Sequence, residues 1–122
     1  MRKGMGFSFT EPPPRLTILF SGVEVAELTQ KKKGGSFIFQ YTPAFKQLEL
    51  TPLPGLQDLD RRYESDQLWP YVAERIPDMR RPEIRSLVEQ RGLQQASELR
   101  LLAELGAHSV TDPFQIETKK IA

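Results

Sequence analysis

Apolar residues fall at every second position in two early runs of this chain, Leu16, Ile18, Phe20 and Phe37, Phe39, Tyr41. A period of two places each set on one face of an extended strand. Between the runs, Ser21-Gly22 marks a tight turn and Val23 to Leu28 resumes the β pattern, so the first two segments read as a hairpin. Val23 and Val25 share a face that Leu28 does not, which predicts a bulge or a twist in the second strand. Lys31-Lys32-Lys33-Gly34-Gly35 interrupts the pattern as the solvated tip of the next hairpin. The spacing Gly-x4-Gly-Lys-Ser/Thr is absent, so the lysines and glycines do not form a P-loop. Leu48, Leu50 and Leu53 alternate up to Pro52 and Pro54, and Leu48 to Leu50 is a candidate fourth strand of the meander.

Beyond Pro54 the pattern changes. A polar loop carries four charges between Asp58 and Arg62, and Ser65-Asp66 then offers an N-cap and an acidic first turn. The predicted helix carries the only tryptophan, Trp69, and stops at Pro77-Asp78. Leu68, Val72 and Ile76 form its apolar stripe, and Trp69 points about 100° away from Leu68. Two readings of Trp69 stand: packing at the edge of the core, or an anchor held out for a partner, where tryptophan is favoured. Pro70 would stiffen its setting. Pro82 opens a second helix with Ile84, Leu87 and Val88, closed by Gly92. Ser97 caps a third, with Leu99, Leu102 and Leu105 on one face and Gly106 at its end. Asp112-Pro113 then turns the chain into a last strand through Phe114 and Ile116. The order β-β-β-β-α-α-α-β predicts an α+β domain: a small antiparallel sheet, meander plus C-terminal strand, packed with about three helices. Residues 1–14, with Phe7, Phe9 and Pro12-Pro13-Pro14, read as a Gly/Pro-rich arm, either docked through its phenylalanines or an unstructured terminus. Residues 15–122 read as the domain.

Composition narrows the function. A chain of 122 residues with 39% hydrophobic and 27% charged residues has the size and balance of one globular domain. The net charge of +1 lacks the basic excess of a nucleic-acid binder. No cysteine is present, so disulfides, thiolate metal sites and cysteine nucleophiles are excluded. His108 is the only histidine, and Glu64, Asp66 and Glu74 read as solvated acids rather than a catalytic or metal-holding set. The expectation is a non-enzyme without cofactor or metal. Met1-Arg2-Lys3 is followed by no apolar leader and no run approaches a membrane span, so a cytoplasmic protein is expected. A second class stays open. Pro82 to Gly106 has the helix, Gly-containing turn, helix outline of a DNA-binding regulator. Against it, Ser97 to Gly106 offers leucines and acids where base edges call for Arg, Asn or Gln.

The order of short motifs resembles a known family. Val25-Ala26-Glu27-Leu28-Thr29, then Phe39-Gln40-Tyr41 with Pro43, then LELTPLP from Leu48, then Ser65-Asp66 and an aromatic helix ending in Pro77-Asp78, is similar to the N-terminal subdomain of the HipA toxin kinases. That family shows V-G-E-L, F-x-Y-x-P, a leucine-rich strand ending Leu-Pro, and an aromatic-led helix ending L-L-P-D/E. Leu101 to Gly106 and Ser109-Val110 resemble its closing helix and strand, so the likeness runs over roughly residues 16 to 118. Ala26 stands where the family usually has Gly, which implies a less bulged strand there. Arg75-Ile76 replaces the paired leucines, and the kinase core is not in this polypeptide. A subdomain of this kind encoded alone resembles HipS of the three-component HipB–HipS–HipT toxin–antitoxin systems. The resemblance implies an antitoxin that binds and restrains a separate HipT-like serine/threonine kinase, with a HipB-like helix-turn-helix protein alongside. The alternative within it is an accessory structural subunit. The expected contact is the aromatic helix, with Trp69 as anchor and Tyr63, Ser65, Asp66, Pro70 and Tyr71 around it.

Overall fold

The computed structural model of the protein describes residues 13–32, 34–107 and 113–119. The arm with Phe7 and Phe9, the third lysine Lys33, and His108, Ser109, Val110 and Asp112 lie outside the described residues.

The fold is α+β. Its elements are β1 (Leu16–Phe20), β2 (Val23–Gln30), β3 (Phe37–Tyr41), α1 (Pro43–Gln47), β4 (Tyr63–Ser65), α2 (Pro70–Ala73), α3 (Pro82–Gln90), α4 (Glu98–Leu105) and β5 (Phe114–Thr118). They build one five-stranded sheet in the order β4-β3-β2-β1-β5, antiparallel at every pairing. The β1–β2 hairpin closes on Ser21 (φ 50°) and Gly22 (φ 81°), two left-handed residues as a two-residue primed turn requires. The expected bulge is present. Ile18 pairs with Ala26 but Leu19 with Glu24, so Val25 is the extra residue of β2. Val25 and Ala26 are consequently both fully buried, although alternation would turn one of them outward. The strand is thus bulged immediately before Ala26, where the absence of the family's glycine implied a flatter one.

Two rows of side chains cross the sheet on the buried face: Leu16, Leu28, Phe39 and Tyr63 in register, and Ile116, Ile18, Ala26 and Tyr41 beside them. They are covered by Phe45 of α1, Leu53 and Leu56 of the long connection, Leu68 and Val72 around α2, and Leu99 and Leu102 of α4. The opposite face carries a polar network beside the half-buried Leu19 and Ile38. Thr17 Oγ1 donates to Glu24 at 3.3 Å, Lys119 Nζ reaches Glu24 (3.4 Å) and Glu27, and Lys31 pairs with Glu64 at 2.8 Å. Such pairs, open to water, contribute little to stability.

One expected element lies elsewhere. Leu48 to Leu50 is not a strand. Pro43 sits in the first turn of α1, Phe45 faces the core, and Leu48 caps the helix with its N–H on Ala44 O at 2.9 Å. Glu49 then takes a left-handed φ of 54°, which turns Leu50 back toward the core and leaves Leu48 exposed. The alternation of leucines therefore comes from a turn. The fourth strand is instead Tyr63–Ser65, paired with Phe39 to Phe37 of β3. With α1 the helices number four among the described residues rather than about three. Helix α4 begins on the predicted cap, Ser97 Oγ accepting from Arg100 N at 3.2 Å.

Candidate functional site

Ser65 and Asp66 do not cap a helix. Ser65 ends β4 and its Oγ accepts from Gln67 N at 3.2 Å, a local turn, while Asp66 Oδ1 accepts from Ser36 Oγ at 3.3 Å. These side chains tie the corner after β4 to the β2–β3 connection and leave the next residues extended. Trp69 (φ −63°, ψ 142°) occupies the N-cap position, and Pro70 begins α2 where a missing N–H costs nothing. The Trp69 carbonyl accepts from Val72 N and Ala73 N, both at 2.9 Å. The helix proper ends at Ala73, well before Pro77, and tightens into turns in which Arg75 N donates to Val72 O and Ile76 N to Ala73 O. The expected stripe is right in direction: Leu68 and Val72 are buried and Ile76 packs against the core.

The sequence left two readings of Trp69, and the geometry has features of both. Its ring meets Phe39 edge-on at 6.1 Å and Tyr63 at 6.5 Å, so it packs at the margin of the core. It remains partly exposed. Tyr63 is held in turn. Its hydroxyl accepts from Asp58 N at 2.7 Å, its ring lies 6.4 Å from Phe39, and the Arg61 guanidinium stands 5.1 Å over its face. Tyr71 is partly buried against the core cluster, and Pro70 and Asp66 are exposed. The result is a rigid aromatic edge at the β4 side of the sheet, rimmed by Arg61, Asp66 and Ser65. Phe39 and Arg61 belong to this edge although neither was among the residues expected at the contact. Phe39 read as one more core residue, and Arg61 as one charge of a polar loop.

Residues 16–110 match the family model described as HipA N-terminal domain. The chain belongs to that family. The match takes in every element from β1 to α4, and β5 lies beyond it. No curated protein matches the chain. Membership in the HipA N-terminal domain family links the protein to HipA-type toxin–antitoxin systems, in which this domain is a non-catalytic accessory unit. Among the described residues, no group of three or more acidic or histidine side chains is placed to hold a metal ion. None of their helices is long and apolar enough to cross a membrane.

α4 keeps the leucines and acids that the sequence set against a DNA reader. Residues 91–97 separate the helices, Leu99 and Leu102 of α4 are buried in the core, and its first turn carries Glu98. The C-terminal half is tied down as well, Arg100 facing Glu104 at 3.7 Å and Arg91 donating to Glu104 O at 3.0 Å. The first turn of a recognition helix must present donors and acceptors to base edges, and a glutamate there meets the phosphate backbone with like charge.

Proposed function

We propose that this HipA N-terminal domain protein is an antitoxin-type chain that binds a separate HipT-like serine/threonine kinase in trans and inhibits it. The observation that carries the reading is Trp69: a large aromatic braced on two other rings yet left partly open, in a family tied to kinase toxins. A rigid, partly exposed aromatic loses little conformational freedom when it enters a pocket, which is why such residues dominate binding energies. Tyr63, Ser65, Asp66, Pro70 and Tyr71 form the rim of the contact. The inhibitory picture is an aromatic filling a cleft beside the kinase's nucleotide site or activation loop, stabilising an inactive arrangement. A HipB-like helix-turn-helix protein completes a ternary complex in the cytoplasm, and residues 15–122 act as the binding domain with residues 1–14 as an arm.

Co-expression with the HipT-like kinase encoded beside it is the test. The two chains co-purify and growth is rescued; persistent toxicity with no co-purification refutes the reading. Trp69→Ala weakens the complex by about 2 kcal/mol or more, as expected for a hot-spot tryptophan. Unchanged affinity in that variant would leave Trp69 a core-edge residue only.

A further inference from the structure

Arg75 lies just beyond the short helix that follows Trp69, and two of its guanidinium nitrogens donate to main-chain carbonyls from other elements. Nε donates to Gly106 O at 2.9 Å, and one terminal nitrogen donates to Ala107 O and to Phe114 O, each at 3.0 Å. Gly106 and Ala107 end α4, and Phe114 opens β5. The main chain is equally close: a Cβ on Gly106 would stand 2.6 Å from the Arg75 carbonyl oxygen. Side chain and backbone of Arg75 therefore both press against one glycine.

A four-residue helix has almost no stability of its own, so tertiary contacts decide where α2 sits. Leu68 and Val72 anchor it to the core by burial, which resists withdrawal but little resists sliding or rotation. Three charge-assisted hydrogen bonds from one planar fork supply the direction. We propose that Arg75 is a positioning residue for partner binding: its fork locks the α2 turn to α4 and β5, and so fixes which side of Trp69 faces outward. This rests on the reading that Trp69 contacts the kinase. Lysine keeps the charge but has no fork and cannot reproduce the arrangement.

The test is Arg75→Lys in the full chain. Trp69 is the only tryptophan, so its fluorescence reports its own surroundings in the free protein. The expected result is an unchanged far-UV spectrum, a shifted Trp69 emission, and affinity for the HipT-like kinase lowered by about tenfold or more. In a Trp69→Ala background, Arg75→Lys costs less than about twofold further, because residues acting through one contact are not additive. Unaltered emission and affinity, or losses that multiply, overturn the proposal. If Trp69→Ala alone binds like wild type, the contact reading fails, while a shifted emission in Arg75→Lys still supports the junction. Gly106→Ala, which forces the same junction apart, is read the same way. If neither variant keeps the sheet, Arg75 is a folding residue and the proposal is overturned.

Discussion

Tyr41 stands in β3 as the third of three alternating aromatics, yet its chemistry differs from that of Phe37 and Phe39. Its hydroxyl donates to Leu56 O at 2.6 Å and accepts from Leu53 N at 3.0 Å, closing the proline-rich connection over the core. Phenylalanine would keep the ring contacts with Phe39 and Phe45 but leave a buried N–H and a buried carbonyl unpaired. Tyr41→Phe is expected to lower unfolding stability by about 1–3 kcal/mol in a urea titration. Burial also pushes the phenol up to about 12, from 10.0 when unfolded. Its contribution is therefore whole below pH 10 and is lost as the pH rises from 10 to 12, where the unfolded chain ionises first. Stability measured across that window falls less steeply in Tyr41→Phe than in the parent. Alternation told that Tyr41 faces inward; it could not tell that the hydroxyl would find its partners in the distant leucines of LTPLPGL. The same holds for Trp69. The sequence set it inside a helix that begins only at Pro70, and its two supporting rings come from β3 and β4 and required the sheet register to be known.

Elements were legible in proportion to their length and to the strength of their boundaries. β1, β2, β3 and β5 carry alternation between turn residues, and α4 carries a serine cap, an apolar stripe and a terminal glycine. The elements that sequence periodicity missed are α1 of five residues and β4 of three, each shorter than the window over which a period can be seen. Ser65-Asp66 satisfies the residue preference of an N-cap, but the same side chains also stabilise tight turns, and pairing of Tyr63–Ser65 with β3 selected the turn. Tertiary packing makes α1 a helix, so its stability should reside in one side chain. Phe45 is fully buried and touches the rings of Tyr41 (4.3 Å) and Phe114 (6.4 Å). Phe45→Ala is expected to cost about 3–5 kcal/mol in chemical denaturation, as large for this missed element as for a central strand. A loss below about 1 kcal/mol would mean that α1 is a surface turn.

The whole molecule presents two unlike sides. Helices and the long connection cover one face of the sheet, and the aromatic edge opens at the margin of that side. The other face carries interleaved acids and bases, including Arg15–Glu27 at 3.6 Å and Lys31–Glu64, where the lysine holds the Glu64 carboxyl below its usual range. A face whose charges are largely matched offers an incoming protein little net attraction, and stripping water from it would cost more than re-pairing returns. An edge with a braced tryptophan and tyrosines, its charges Arg61 and Asp66 kept to the rim, desolvates more cheaply. Which side meets the proposed kinase partner can therefore be decided by two substitutions of opposite placement. Glu117, opposite Thr17 on the polar face and exposed, becomes a charge reversal in Glu117→Lys. That variant is expected to bind the kinase within about twofold of wild type, since rim and off-interface charges change affinity little. Trp69→Ala is expected to lose about tenfold or more in the same titration. The reverse outcome, a large loss from Glu117→Lys and none from Trp69→Ala, would place the partner on the polar face and make the aromatic edge part of the fold alone.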